Sequence, residues 1–355
     1  MNRHVLAIDL STGGVKASLC REDGAIVKAY FNEYKTFYNG PDRHEQRPQD
    51  WYDGTIEAIK HVVSESGIDA SQVVAISISG HSLCAVPIDK SGRLLTEFTP
   101  IWSDKRAFAE ADEFFRTIPY EDWYETTGNG FPPECYSLFK IMWLRNHDPE
   151  LFQQAYKFLG SKDYVNFRLT DVLATDHSYA SGSGAYNLEK QDYEPLYLQV
   201  AGVDENLLPN LLESHAIVGT LTSEASNTLG LNKNTKVMAG GVDNAVMALG
   251  ANGYEENSTY LSLGSSSWIA INTKNPLLDQ EKKPYVFAHC ISGMYTSATS
   301  IFAAGSSLRW LRDQVFPDKS YKELDQMAAS APAGSNNLLF NPSLAGGAMI
   351  EESPD

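Results

Sequence analysis

The N-terminal segment Leu6-Ala7-Ile8-Asp9-Leu10-Ser11-Thr12-Gly13-Gly14-Val15-Lys16 has the residue types and spacing that phosphate handling requires. Ser11 through Gly14 are small and two are glycine, so backbone N–H groups can approach an anion without Cβ interference. Asp9 at a strand end can hold Mg²⁺ directly or through water, Thr12 offers a hydroxyl, and Lys16 brings a positive charge two residues past the glycines. An ordinary Gly-rich hairpin offers the same small residues, so this segment alone does not decide.

Asp243 is a candidate proton acceptor. It follows the apolar run Thr235–Gly240 through Gly241-Val242, precedes Asn244, and leads into the small-residue helix start Ala245–Gly250. A carboxylate there either sits at a cleft floor as a general base or caps the helix. Trp102, Asp104 and Arg106 alternate, so on an extended segment all three point to one face, suited to a polyol. The alternative is a salt bridge beneath a packed Trp. His81 in the turn Ser79-Gly80-His81 can hydrogen-bond a hydroxyl or serve as a satisfied wall residue. Ala304-Gly305-Ser306-Ser307, ahead of the helical Leu308–Arg312, either presents amides to a phosphate or simply caps a helix.

These groups need a scaffold. Residues 5–10 and 15–20 are short apolar runs around the Gly turn, and a second turn at Glu22-Asp23-Gly24 leads into the β-prone run Ala25–Tyr34, which predicts an antiparallel meander. Helical spacing over Trp51–Ser66 and the strand-like run Val73–Ile78 follow. The aromatic-rich stretch Phe108–Leu169, helical over Ser137–Asn146, reads as an insertion shaping one cleft wall. Strand, Gly/Ser turn and strand return at Tyr260–Ala270, a weak repeat of residues 6–18. Two such meanders put two amide-rich turns on opposite sides of one cleft. We place the boundary near residue 252, giving domains 1–252 and 253–355.

The chain has 355 residues, 43% hydrophobic and 21% charged, with a net charge of −17. Such composition fits a folded two-domain protein and opposes nucleic-acid or anionic-membrane partners, which need clustered Lys and Arg. Cys20, Cys84, Cys135 and Cys290 lie far apart with no CxxC pair, so neither a zinc site nor a disulfide framework is expected. No run suits a signal peptide or a membrane span, and the expected location is the cytoplasm. The expected partner is a small molecule, and a homodimer is compatible.

The opening hairpin resembles the first phosphate motif of the FGGY carbohydrate kinases, which share the actin and hexokinase fold. The resemblance continues in order along nearly the whole chain. It runs through Ile78-Ser79-Gly80-His81 with Asp89 and Gly92, Trp102-Ser103-Asp104-Lys105-Arg106, Thr127-Gly128, and Lys140 with Trp143. Further on come Asp163-Tyr164, Leu169-Thr170, Asp176 with Ser178, Gly241-Val242-Asp243-Asn244 and Gly264-Ser265-Ser266. The family implies an α/β fold of the actin-like ATPase (ribonuclease H-like) class with two domains around a cleft. It also implies ATP-dependent phosphorylation of a small sugar, ketose, polyol or sugar acid, in the manner of xylulokinase or gluconokinase.

By that resemblance Asp243 is the base, with Asn244 beside it at the substrate, and Asp104 and Arg106 contact the sugar. Cys135 and Tyr136 line its pocket, with simple core packing the alternative for Tyr136. Gly264, Ser265 and Ser266 form the second phosphate motif, with Ser where Thr is usual, and Ser11 stands where glycine is usual. Gly80, His81 and Ser82 occupy the place of Gly-Gln-Met-His, which implies a different substrate choice. Relatives continue past Asp355 into the adenine pocket, so the second domain is expected to be incomplete. A catalytically weak or silent sugar-binding fragment is therefore the alternative, with an actin-like assembly protein a third.

Overall fold

The computed structural model describes residues 3–251, 253–264, 267–301, 304–342 and 344. Residue 252, where the expected boundary falls, and Ser265-Ser266 lie outside the described residues.

Strands β1 (His4–Ser11), β2 (Gly14–Arg21) and β3 (Ile26–Glu33) form the expected antiparallel meander. Alternation sorts their side chains. Leu6, Ile8 and Leu10 of β1 and Val15, Ala17 and Leu19 of β2 are buried, while Ala7, Asp9 and Lys16 face the other way and are exposed. The same period that builds the core therefore delivers Asp9 and Lys16 to one face, as cross-strand partners. Gly14 is required by the close approach of β3. A Cβ there would lie 2.4 Å from the Asn32 carbonyl oxygen and 2.7 Å from the Phe31 ring.

Helix α1 (Pro48–Ser66) covers the buried face with Trp51, Ala58, Ile59 and Val62. Pro48 suits its first turn, where the missing N–H costs nothing, and Gly67 ends it at φ 71°. Strand Val73–Gly80 lies parallel to β1, and Lys236–Met238 and Gly241–Val242 lie parallel to Val73–Gly80. With Ile217–Thr220 at the far edge this makes a seven-stranded sheet. The carboxyl ends of β1, Val73–Gly80 and Gly241–Val242 are side by side, the usual location of ligands in open α/β sheets.

The Phe108–Leu169 stretch as far as Phe158 enters a second core, in which Phe114 packs edge to face on Phe139 and Trp123 on Tyr136, whereas Leu159, Tyr164, Val165 and Leu169 join the core of the first sheet. A four-stranded antiparallel sheet follows, in the order Thr259–Leu263, Ser267–Thr273, Tyr295–Ile301, Tyr285–Ala288. Its first three strands pair as β1 to β3 do, and Tyr285–Ala288 is added at the outer edge. That strand docks on the aromatic core: Val286 N–H donates to Gly128 O at 2.8 Å, and a Cβ on Gly128 would come within 2.6 Å of the Val286 side chain. The aromatic core is thus packed against this second sheet. No helix among the described residues is long and apolar enough to cross a membrane.

Candidate active site

The first turn is held from behind by residues that its own sequence does not reveal. Ser11 Oγ donates to Gly14 O at 2.9 Å, closing the hairpin in place of a third glycine. Tyr34 OH donates to Ser11 O, and the buried Gln46 donates from Nε2 to Thr12 O at 2.7 Å. Gln46 is itself fixed, because its Oε1 accepts from Trp51 Nε1 at 2.9 Å. Anchoring these two carbonyls sets the peptide planes between Ser11 and Gly13, and with them the direction of the amides an anion would meet.

Asp9 and Asp243 flank one strand. Asp9 is in register with Ser79, and Gly241-Val242 pair with Ser79-Gly80 from the other side, which puts the backbones about 10 Å apart across two strand spacings. The surrounding protein desolvates Asp9 and raises its pKa, against the opposing pull of a Ser79 hydrogen bond and the Lys16 charge. Asp243 keeps only a little surface, and desolvation pushes it up to about 7. The Asn244 N–H, donating to Asp243 Oδ1 at 2.8 Å, pulls the other way, and the Asp9 charge adds to the rise. Asp243 opens the helix Asp243–Gly250 but does not cap it: Val242 holds the cap position, and no side chain bonds there as a cap. Of the two readings of this carboxylate, the helix cap is the one the geometry disfavours.

The polyol segment departs from expectation. Residues 101–106 turn rather than extend, so Trp102, Asp104 and Arg106 do not share one face. Asp104 is fully buried and binds Arg106 through both oxygens, at 2.9 Å from Nε to Oδ1 and 2.7 Å from Nη2 to Oδ2, while accepting from His44 N–H at 2.8 Å. Arg106 also donates to Glu45 at 2.7 Å and stacks over Trp143. The pair is a structural brace in this arrangement. Trp102 is not packed over it; its indole N–H donates to Thr12 Oγ1 at 2.9 Å and its ring lies beside Phe131.

His81 is buried, with Nδ1 3.4 Å from Cys84 Sγ and Nε2 without a hydrogen-bond partner among the described residues. Burial, aided by the Lys140 charge, pushes its pKa down to about 4, so the ring is neutral at ordinary pH. Its backbone bonds Leu10 O, and its carbonyl accepts from Ser161 Oγ and Tyr179 OH. Gly80 is also buried, and a Cβ there would meet Ser161 Oγ at 2.7 Å, whereas Ser82 is half-buried. Cys135 and Tyr136 correct the expectation of pocket walls: both are core residues, and the Tyr136 hydroxyl is spent accepting from Phe131 N–H at 3.0 Å. Asn244 is half-buried beside Asp243, with its carbonyl accepting from Tyr260 OH at 3.4 Å.

Of the second phosphate motif, Gly264 is described and Ser265 and Ser266 are not. Gly305 N–H donates to Gly264 O at 2.9 Å, which corrects the expectation that this amide faces a phosphate: it ties the turn to the helix Gly305–Trp310 instead. Gln46, Tyr34, Glu45 and Ser79 are supporting residues that sequence reasoning missed. A polar side chain on an amphipathic run carries no mark of the turn it will brace, and only Gln46, just ahead of the helix-starting Pro48, had a positional cue.

Comparison with known proteins gives one consistent answer. Residues 4–250 match the N-terminal domain of the FGGY family of carbohydrate kinases. Xylulose kinase of Bacillus subtilis (strain 168) is 31% identical over 97% of this chain and 68% of its own length. Gluconokinase of the same organism is 26% identical over the whole chain and 70% of its own length. Among solved structures, ligand-bound xylulose kinase from Lactobacillus acidophilus superposes with a TM-score of 0.89 at 25% identity, covering 98% of this chain and 70% of that one. Gluconate kinase from the same organism gives 0.90 at the same identity and coverage. Sheet order, paired carboxylates and these likenesses agree: the fold is that of the actin-like ATPases, and the chain belongs to the FGGY family of carbohydrate kinases.

Proposed function

We propose that the chain phosphorylates a small sugar, ketose, polyol or sugar acid from ATP, as its xylulose kinase and gluconokinase relatives are named for, with Asp243 as the general base. The observation that carries this reading is the placement of Asp243 beside the ends of β1 and Val73–Gly80, with its pKa pushed up to about 7. A base with that pKa is ionised enough at neutral pH to accept a hydroxyl proton and basic enough to pull it. The proton moves from the sugar hydroxyl to a free carboxylate oxygen of Asp243, while the Asn244 N–H holds Oδ1.

Asp9, with the Lys16 charge beside it and Asp243 across the intervening strand, is a donor that fits Mg²⁺ bound through one carboxylate and the phosphate oxygens. Asp9 is the residue we assign to it. When bound, Mg²⁺ would neutralise charge on the phosphates. The Ser11–Gly14 turn holds the phosphate by its amides and Lys16 adds charge. Gly264 with Ser265 and Ser266 grips it from the second lobe. We place the lobes at 1–252 and 253–355. The sugar lies between Trp102, Ser82 and Asn244, with Asp104 and Arg106 shaping that wall from within. Four free cysteines fit a reducing compartment, and we place the protein in the cytoplasm.

A coupled ADP-release screen over pentuloses, hexuloses, polyols and aldonates, with Asp243→Asn beside the natural chain, tests this. Turnover of at least one substrate, lost in Asp243→Asn while calorimetric sugar binding persists, is expected. Undiminished turnover by Asp243→Asn removes the base assignment.

A further inference from the structure

A buried ionic cluster that the reaction itself does not use lies behind the base. Lys162, Asp163 and Asp176 are at most 1% exposed. Lys162 Nζ is 2.5 Å from Asp163 Oδ1, 2.9 Å from Asp176 Oδ1, and donates to Ala239 O at 3.1 Å. Asp163 Oδ2 accepts from Thr175 Oγ1 at 2.7 Å, and Asp176 Oδ2 accepts from Ser214 Oγ at 2.6 Å. A buried ion group of this kind is a poor source of stability, because desolvation of the charges offsets their attraction. Its geometry is better explained by what it holds in place.

The cluster ends at the Gly241–Val242 peptide, one residue ahead of Asp243. Ser178 Oγ lies 2.5 Å from Asp176 Oδ2 and 3.0 Å from Val242 N. A carboxylate only accepts, so the single hydroxyl proton of Ser178 goes to Asp176 and its lone pair receives the Val242 N–H. No rotation of the hydroxyl serves both partners otherwise. The same stretch of backbone is gripped at Ala239 O by Lys162 and Asn166, and at Gly240 N–H by Ser214 O at 3.0 Å. On the opposite side Gly241 and Val242 pair with Ser79 and Gly80. The segment ahead of Asp243 is thus held on both sides, and Ser178 makes the side-chain bond nearest the carboxylate.

We propose that Ser178 is the positioning residue for Asp243: its hydroxyl, oriented by Asp176 and in turn by the Lys162 ammonium, sets the Val242 peptide and so the aim of the carboxylate. The proposal rests on reading Asp243 as the base. Ser178 touches no substrate; it acts through the backbone.

The test compares Ser178→Ala and Ser178→Thr with the natural chain and with Asp243→Asn. Two readouts are taken on folded protein, the kcat and sugar KM of phosphorylation and the titration of the Asp243 carboxyl by ¹³C NMR, with the signal assigned from Asp243→Asn. Asp9, Cys84 and Tyr260 are the titratable groups that sense or shift this carboxyl, and all three stay in place in every variant. Ser178→Ala is expected to lower kcat at least tenfold with KM within about threefold, and to move the Asp243 midpoint down by a unit or more as the carboxylate swings toward solvent. Ser178→Thr, which keeps the hydroxyl, is expected to restore both. A Ser178→Ala protein with a lower melting temperature but unchanged kcat and unchanged Asp243 midpoint overturns the proposal, since only a structural role remains. If Ser178→Ala does not fold, Ser178→Cys fills the site with a slightly larger group, weakens both bonds and is read the same way. Turnover by Asp243→Asn at the natural rate defeats the base reading instead, and if no substrate turns over the NMR midpoint decides alone.

Discussion

The Trp102 indole donates to the Thr12 hydroxyl at 2.9 Å across ninety residues of sequence, so the Ser11–Gly14 turn and the Trp102–Arg106 loop are a single hydrogen-bonded unit. The bond is partly exposed, and its loss should cost about 1 kcal/mol. Trp102→Phe keeps a ring against Phe131 and removes only the donor. Its kcat/KM should fall about fivefold with the melting temperature lowered by about 2–4 °C at most. A fall of that size in Thr12→Val as well, with no further loss in the double variant, is the signature of one shared bond.

The raised pKa of Asp243 has consequences of opposite sign for activity and stability. In the proposed role of base Asp243 must be ionised, so kcat/KM should rise with pH along an acidic limb centred near 7. Its folded pKa lies above the ordinary value of 3.8, so the folded state binds the extra proton between those two values. Stability is then fully present below the unfolded pKa and declines as pH rises to about 7. Asp243→Asn removes that penalty: it should lose turnover yet gain roughly 1–3 kcal/mol of unfolding free energy at pH 8, with little gain at pH 4. Equal gains at both pH values would show that the carboxyl is not perturbed.

Asp104 illustrates a brace whose removal is costly although it reaches no solvent. Asp104→Ala leaves the Arg106 guanidinium, 7% exposed, with Glu45 as its remaining ion partner and frees the His44 N–H. Breaking a buried pair in this way should cost about 3 kcal/mol, read as a lower urea midpoint at unchanged slope. Arg106→Lys should lose a similar share, because an ammonium cannot reproduce the two-pronged contact. If Asp104→Ala instead keeps full stability and loses only sugar affinity, the carboxylate serves the ligand and not the fold.

The elements that follow a simple period were legible in the sequence. The β1–β2 hairpin, helix α1 and the second hairpin at 259–273 announce themselves through alternation, helical spacing and Gly-rich turns. The loop at Trp102–Arg106 was not, because alternation of polar types predicts a shared face only on extended backbone, and the buried Asp104–Arg106 pair bends the chain instead. The sequence sets Cys135 in the pocket wall, and leaves Tyr136 open between wall and core, for a related reason: an aromatic or a thiol reads alike in both. The support of the first turn by Gln46 and Tyr34 depends on contacts more than twenty residues away, which no local pattern encodes.

Gly240 is a position where the neighbouring strand leaves no room for a side chain. Its φ of 73° lies in the left-handed region, and a Cβ built there would sit 1.9 Å from the Ile78 carbonyl oxygen on the neighbouring strand. A backbone atom cannot step aside as a flexible side chain would, so Gly240→Ala must shift the backbone between Met238 and Val242. The expected cost is 2 kcal/mol or more, from strain and overpacking together. The damage should also reach Asp243, three residues on, because Lys162 and Ser178 grip the backbone at Ala239 and Val242 on either side of the displaced glycine. Chemical denaturation combined with the pH profile of kcat/KM separates the two effects. A lower midpoint alone marks strain confined to the strand, whereas a lower midpoint with the acidic limb displaced from 7 shows that the strand sets the environment of the base.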